Sequence, residues 1–249
     1  MGEWVWIPAQ AVVPLRAEPT HRSEMVSTLL WGEPQQILLQ ERDWLQVRGW
    51  IDGYVGWVPT GALMPAYLPE REWGIVFRRE APLYHEEQKW GWVPCGSLVP
   101  TGGYWHTAQG RFWVPSGYWR PWRKRSLQPL LRKWQGLFHR TPYLWGGKSP
   151  HGIDCSGLTQ LFYRLAGKIL PRNAYQQADF TLPTTHPQPG DLVFFTPGDA
   201  RITHVGLWLN DGYLLHATPA AGVQVQKVDS LFTHVLHSIR TFFHEDFVI

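Results

Sequence analysis

Three side chains in this sequence could together break an amide bond. Cys155 stands in GIDCSGLTQLF (residues 152–162), behind Asp154 and ahead of Ser156 and Gly157. His204 and His216 follow in ITHVGLWLNDGYLLHAT (202–218). A cysteine becomes a nucleophile when a neighbouring base takes its proton, and that base works best when a third group holds its ring in one tautomer. The local pattern is consistent with this. Leu158, Leu161, Phe162 and Leu165 repeat at helical spacing, and Gly167 ends the run. Asp154 can cap that helix, placing Cys155 in its first turn, where backbone N–H groups and the helix dipole favour a thiolate. A thiolate–imidazolium pair would give a bell-shaped pH–rate curve. The plainer reading, a small buried cysteine, carries equal weight on this segment alone.

The histidines are related by a hairpin. Val205, Leu207 and Leu209 alternate with His204, Gly206 and Trp208, and Tyr213, Leu215 and Ala217 alternate with Leu214, His216 and Thr218. Asn210-Asp211-Gly212 is a strong turn signal. A three-residue loop pairs Leu209 with Tyr213. His216 then lies opposite Gly206 and His204 opposite Thr218, so the histidines are diagonal neighbours on one face, about 7–8 Å apart between backbones. Zinc is a rival use for a cysteine and two histidines. Structural zinc wants four ligands at tight spacings, which are not present here. Two unrelated polar residues on a strand face is the remaining alternative.

The elements that must position these residues divide the chain. Its 249 residues allow one to three domains, and 44% hydrophobic residues provide for real cores. Tryptophan is abundant, at 16 residues, most of them in the N-terminal half among many Gly and Pro. Large rings can give small barrels a core. GWVPTGAL (56–63) returns as GWVPCGSL (91–98), with a shorter echo, WVPSG, at 113–117. Each reads as a short strand and a Pro-x-Gly turn. Strands are expected near Val12–Leu15, Ile37–Gln40, Leu45–Val47 and Tyr54–Val58. After WRPWRKRS (119–126) the style changes. A helix is expected near Leu127–His139, followed by the Cys155 helix. Strands follow at Asp191–Phe195, Thr203–Leu209 and Tyr213–Thr218, with a last one at Val223–Val228. Helices first and antiparallel strands second is an α+β pattern. Domains are therefore expected at 1–66 and 67–124, both small barrels, and at 125–249.

The formal net charge of +3 gives no field for nucleic acid or a membrane surface, and no apolar run reaches transmembrane length. The start, MGEWVWIPAQ, does not read as a signal peptide. Cys95 and Cys155 offer no disulfide framework.

Several ordered motifs resemble the NlpC/P60 cysteine peptidases: PYLWGG (142–147), DCSG (154–157), GDLVFF (190–195), THVG (203–206) and LLHA (214–217). In the N-terminal half, PLR (14–16), SEMV (23–26) and DGYVGW (52–57) resemble a bacterial SH3-like domain. The arrangement is similar to γ-D-glutamyl-diamino acid endopeptidases, which carry SH3-like barrels before a papain-like catalytic domain and act on peptidoglycan stem peptides. The resemblance implies Cys155 as nucleophile, His204 as base, His216 as the orienting group and Tyr143 as an oxyanion donor beside the Cys155 N–H. It implies Asp154, Ser156, Arg172 and position 173 in the substrate groove, with Glu24 and Tyr54 reaching it from the first SH3-like domain. It implies no metal and no organic cofactor, and a monomer whose partner is a muropeptide. One position departs. LPRNA carries Asn173 where the subgroup has an acid that helps hold the substrate's free amino terminus, and Ala174 where serine is common. A free-amine requirement would exclude intact wall and implies cytoplasmic recycling of fragments, with secretion the alternative. The competing functions are a cell-wall-binding protein worked by its SH3-like modules, and an amidase or acyltransferase on the same fold.

Overall fold

The computed structural model describes residues 3–68, 72–198, 201–228 and 235–242. By internal contacts the chain forms two compact units. The first comprises Met1–Trp122 together with Lys148–Pro150, and the second Arg123–Gly147 with His151–Ile249.

The first unit is almost entirely strand. Its main sheet has 11 strands in the order Gln88–Pro94, Glu80–His85, Gly110–Trp113, Tyr104–Thr107, Leu63–Leu68, Glu3–Pro8, Gln35–Glu41, Trp44–Gly49, Val55–Pro59, Val12–Arg16 and Met25–Leu30. A second sheet of three strands places Trp73–Val76 between Leu98–Pro100 and Trp119–Pro121. Alternation builds the cores. Val13 and Leu15 face inward from one strand and Leu45 and Val47 from another, joining Leu29, Val58, Ala62 and Leu63 in one buried cluster. A second cluster gathers around Trp31, Trp105 and Phe112. It takes Val5, Ile7, Met64 and Ala66 from the N-terminal segment and Val76 to Val114 from the later one. Residue 66 thus lies inside the strand Leu63–Leu68, and that strand contributes to both cores.

Every strand expected in the N-terminal half is present within two residues of its expected ends. Others were not expected, Glu3–Pro8 and Met25–Leu30 among them. In the first, exposed Trp4 masks the alternation of buried Val5 and Ile7. The second has no alternation to read, because Ser27 through Leu30 are all buried. The sequence repeat ends differently in its two copies. After Pro59 the chain makes a 3-10 turn, Thr60–Ala62, whereas after Pro94 it turns through Gly96 at φ 89°.

The first unit also holds a buried ion pair. Lys148 Nζ lies 3.1 Å from a Glu33 carboxylate oxygen, both side chains 4% exposed. Arg79 donates to the Pro150 carbonyl at 2.7 Å. These contacts tie Lys148–Pro150 into that unit.

The second unit is α+β. Helix Leu127–Phe138 buries Leu130, Leu131, Trp134 and Phe138, and Trp134 packs against Phe162 of helix Cys155–Leu165 with ring centroids 5.8 Å apart. The sheet order is Leu182–Pro183, Leu236–Thr241, Leu192–Phe195, His204–Trp208, Tyr213–Thr218, Gly222–Lys227. Leu236–Thr241 corrects the expectation that the strand near Val223–Val228 is the last. LHSIRT has no clean apolar alternation, and it is a strand because Leu192–Phe195 pairs with it. Among the described residues no helix is long and apolar enough to cross a membrane.

The buried ion pair yields a test. Removing one member of such a pair leaves an uncompensated charge, which costs about 3–5 kcal/mol, whereas removing both can be near neutral. Lys148→Met should therefore lower the stability of the full-length protein by about that amount in urea unfolding. The double variant Glu33→Leu/Lys148→Met should recover most of it. Equal stability of Lys148→Met and wild type would show the pair to be inconsequential.

Candidate active site

Cys155 opens its helix because Asp154 caps it. Asp154 has extended backbone angles, and its Oδ1 accepts the Gly157 N–H at 2.6 Å. The same carboxylate accepts the Gly146 N–H at 2.9 Å through Oδ2 and is gripped by Arg172, whose Nη2 lies 2.7 Å from Oδ2 and Nη1 3.1 Å from Oδ1. Arg172 Nη1 also donates to Ser156 Oγ at 2.8 Å. Asp154, Ser156 and Arg172 are all buried. Their visible work is to fix the helix start and the turn before it. Gly157 is required by packing, since a Cβ there would stand 2.3 Å from the Gly147 carbonyl oxygen.

Helix Cys155–Leu165 packs on the strands that carry the histidines. The hairpin has the register read from the sequence. Leu207 pairs with Leu215 and Trp208 with Leu214, which puts Gly206 opposite His216. The Leu209 N–H donates to the Tyr213 carbonyl, and Asp211 and Gly212 take positive φ in the loop. His204 Nε2 and His216 Nδ1 are 2.9 Å apart, and the rings meet edge to face with centroids 5.1 Å apart. Nδ1 of His204 is the nitrogen left for Cys155. The Cys155 thiol points at the Thr203 carbonyl, 3.9 Å away, and lies against the Val205 N–H, the two residues on either side of His204. His216 is completely buried. Gln226, on the next strand, stands beside it and favours its protonated form, though burial outweighs this. Sequence reading missed Gln226. Its only signal was a polar residue on an alternating strand, and cross-strand pairing decides which neighbour that residue meets. Tyr143, half-buried, lies beside Cys155 and Asp154.

The electrostatics correct one expectation. Burial, followed by the neighbouring Asp154 charge, pushes the Cys155 thiol up to about 12. Burial pulls His204 down to about 4, with His216 beside it adding to the shift, and burial likewise pulls His216 to about 4. The Val205 and Ser156 backbone N–H groups and the Arg172 charge all pull the other way, but burial outweighs them. The resting pair is therefore a neutral thiol and a neutral imidazole. Burial, with Cys155 and Asp154 beside it, raises the Tyr143 hydroxyl, so it remains an O–H donor.

Asn173 follows Arg172 as the N-cap of helix Ala174–Asp179, and its N–H donates to Gln176 Oε1 at 3.2 Å. Its side-chain amide is 3.5 Å from the Tyr175 hydroxyl. Glu24 and Tyr54 belong to the first unit. Glu24 is exposed and precedes the strand Met25–Leu30, while Tyr54 is half-buried against the cluster around Val13 and Val47. Among the described residues no group of three or more His, Cys, Asp or Glu side chains is placed to hold a metal ion.

Residues 140–241 match the NlpC/P60 family profile, and residues 15–63 match that of the bacterial dipeptidyl-peptidase Sh3 domain. Dipeptidyl-peptidase 6 of Lysinibacillus sphaericus is 30% identical over 86% of this chain and 88% of its own length. The chain belongs to the NlpC/P60 family. It is a cysteine peptidase of that family with an SH3-like, β-rich N-terminal region. The γ-D-glutamyl-L-lysine dipeptidyl-peptidase of Bacillus cereus is 26% identical over 81% of this chain and 69% of its own length. An NlpC/P60 family crystal structure from Bacillus cereus superposes with a TM-score of 0.80 at 18% identity, covering 96% of this chain and 99% of that one, which establishes the shared fold.

Two outcomes follow for this NlpC/P60 site. The base must be neutral to accept the thiol proton, so kcat/KM for the free enzyme should rise as pH passes about 4 and stay level through neutrality. An acid limb near the ordinary histidine value and a falling limb soon above it would restore the ion-pair picture. In Gly206→Ala the new Cβ would meet His216 Cβ at 3.1 Å and a Leu214 methyl at 2.7 Å. Pushing His216 aside should lower kcat about 10²-fold with the fold retained by circular dichroism.

Proposed function

We propose that this peptidase hydrolyses the γ-D-glutamyl–diamino acid bond of free peptidoglycan stem-peptide fragments, with Cys155 as nucleophile. The observation that carries the reading is the hydrogen-bonded His204–His216 pair presented beside Cys155 at a capped helix N-terminus. The names borne by the Bacillus cereus and Lysinibacillus sphaericus relatives support the bond and the dipeptidyl mode of release.

In this reading Cys155 Sγ attacks the γ-carbonyl carbon while its proton passes to His204 Nδ1. The oxyanion that forms accepts hydrogen bonds from the Tyr143 hydroxyl and the Cys155 N–H. His204 returns the proton to the departing amine, leaving a thioester on Cys155. A water molecule, deprotonated by His204, then hydrolyses the thioester. His216 holds the His204 Nε2–H so that Nδ1 stays available as acceptor. No metal or organic cofactor enters any step.

The family resemblance assigns Glu24, Tyr54 and Asn173 to the substrate's terminal ammonium, with Glu24 as the charged group. Asn173 offers a neutral oxygen where an acid would offer an anion. The difference between charged and neutral hydrogen bonds, about 1 kcal/mol, is worth several-fold in binding. A requirement for a free amine restricts the enzyme to released fragments, which suits a monomer acting in cytoplasmic recycling.

Mass spectrometry on L-Ala-γ-D-Glu-L-Lys and its N-acetyl form tests this. Wild type should release L-Ala-D-Glu and prefer the free amine, and Cys155→Ala should be inert. Glu24→Gln should lose kcat/KM mainly on the free peptide. Asn173→Asp should gain several-fold on the free peptide, and since aspartate caps as well as asparagine the helix start is preserved. Cleavage at another bond would sink the specificity. Equal rates on the two peptides would remove the ammonium site.

A further inference from the structure

A second concave site lies within the first unit. It is a cavity of about 240 Å³ whose walls include Gln10, Pro14, Arg16, His21, Trp44 and Pro59. We propose that it binds the C-terminal carboxylate of a short peptide whose last side chain is small and apolar.

Charge and donor arrangement carry the assignment. The guanidinium of Arg16 makes one hydrogen bond, from Nη1 to the Ser23 carbonyl at 2.8 Å, and no carboxylate among the described residues pairs with it. Its Nε and Nη2 donors remain, and a guanidinium edge matches a carboxylate. No Asp or Glu lines the cavity. The Trp44 ring, 9% exposed, forms part of its wall and carries an indole N–H donor. The N–H is not among the buried donors left unsatisfied, so it is reachable from solvent and can donate to an acceptor that enters the cavity. Gln10 adds an amide.

The remaining walls select the kind of carboxylate. Val13, Pro14, Pro59 and Ala62 give an apolar surface suited to a methyl-sized side chain. The His21 ring covers Trp44, with centroids 4.9 Å apart and planes at 60°. That ring face is therefore closed to the flat stacking by which aromatic side chains hold sugars, which favours a peptide end over a sugar acid. The volume is below the roughly 300–1,000 Å³ of sites for drug-sized ligands, so the ligand is about dipeptide-sized. Strands Val12–Arg16, Trp44–Gly49 and Val55–Pro59, mutually paired around the first core, hold these walls rigidly.

The probe is N-acetyl-Ala-Ala, followed by ligand-observed NMR and calorimetry on the full-length protein. Saturable binding with a dissociation constant on the order of 1 mM is expected, with the C-terminal amide at least about tenfold weaker. Arg16→Gln should weaken the acid about tenfold, and Trp44→Phe, which keeps a ring but removes the donor, several-fold. Cys155→Ala should bind like wild type. Absence of saturation up to about 20 mM, equal binding of acid and amide, or indifference to both Arg16→Gln and Trp44→Phe would overturn the proposal. Loss of binding in Cys155→Ala would place the peptide in the catalytic cleft and overturn it as well. Should Arg16→Gln misfold, Trp44→Phe and the acid–amide comparison decide alone.

Discussion

The Asp154 carboxylate organises the catalytic unit. One oxygen caps the helix that begins with Cys155, the other receives the Gly146 N–H, and Arg172 closes over both. Such an anion at a helix N-terminus is stabilised by unpaired backbone N–H groups and by the dipole, and Arg172 neutralises its charge in a buried setting. The geometry of the nucleophile follows. Cys155 begins at the end of a rigid, wholly buried helix, and the helix packs against the hairpin that supplies the base. Arg172 pulls the Cys155 thiol toward ionisation, but burial and the Asp154 charge prevail. Cys155 is left as a thiol awaiting a base.

That arrangement gives the histidine pair its chemical sense. A base that is half-buried and next to another imidazole resists protonation, so it is competent over most of the accessible pH range. His216, wholly buried between His204 and Gln226, cannot wander among rotamers, and its Nδ1 fixes which nitrogen of His204 carries hydrogen. Gly206 opposite His216 is part of the same device, since a Cβ there would press on a Leu214 methyl and on His216 Cβ. The four-residue motifs around Cys155 and His204 thus have a packing reason at their glycines and a chemical reason at their reactive residues.

The first unit reads as more than a tether. Its strand Leu63–Leu68 supplies residues to two cores, and it accommodates Lys148–Pro150 through a buried ion pair, just ahead of Cys155 in sequence. Arg16 and Trp44 line a cavity that also touches Val13 and Ala62 of the first core.

Local pattern determined a great deal here. The Cys155 helix and its cap, the hairpin and its register, and the diagonal histidines were all legible, because helix spacing, strand alternation and an Asn-Asp-Gly turn are properties of neighbouring residues. The ordered motifs then identified the family. Tertiary structure alone decided the rest. The protonation of Cys155 and His204 depends on how deeply the folded chain buries them, which is not local. The strand Leu236–Thr241 exists because another strand pairs with it. The partnership of Gln226 with His216 and of Lys148 with Glu33 joins residues 10 and 115 positions apart, and no spacing rule connects such pairs. Asn173 illustrates both levels: as a missing acid it was visible in the sequence, and as a helix cap it became intelligible only once the helix Ala174–Asp179 was in place.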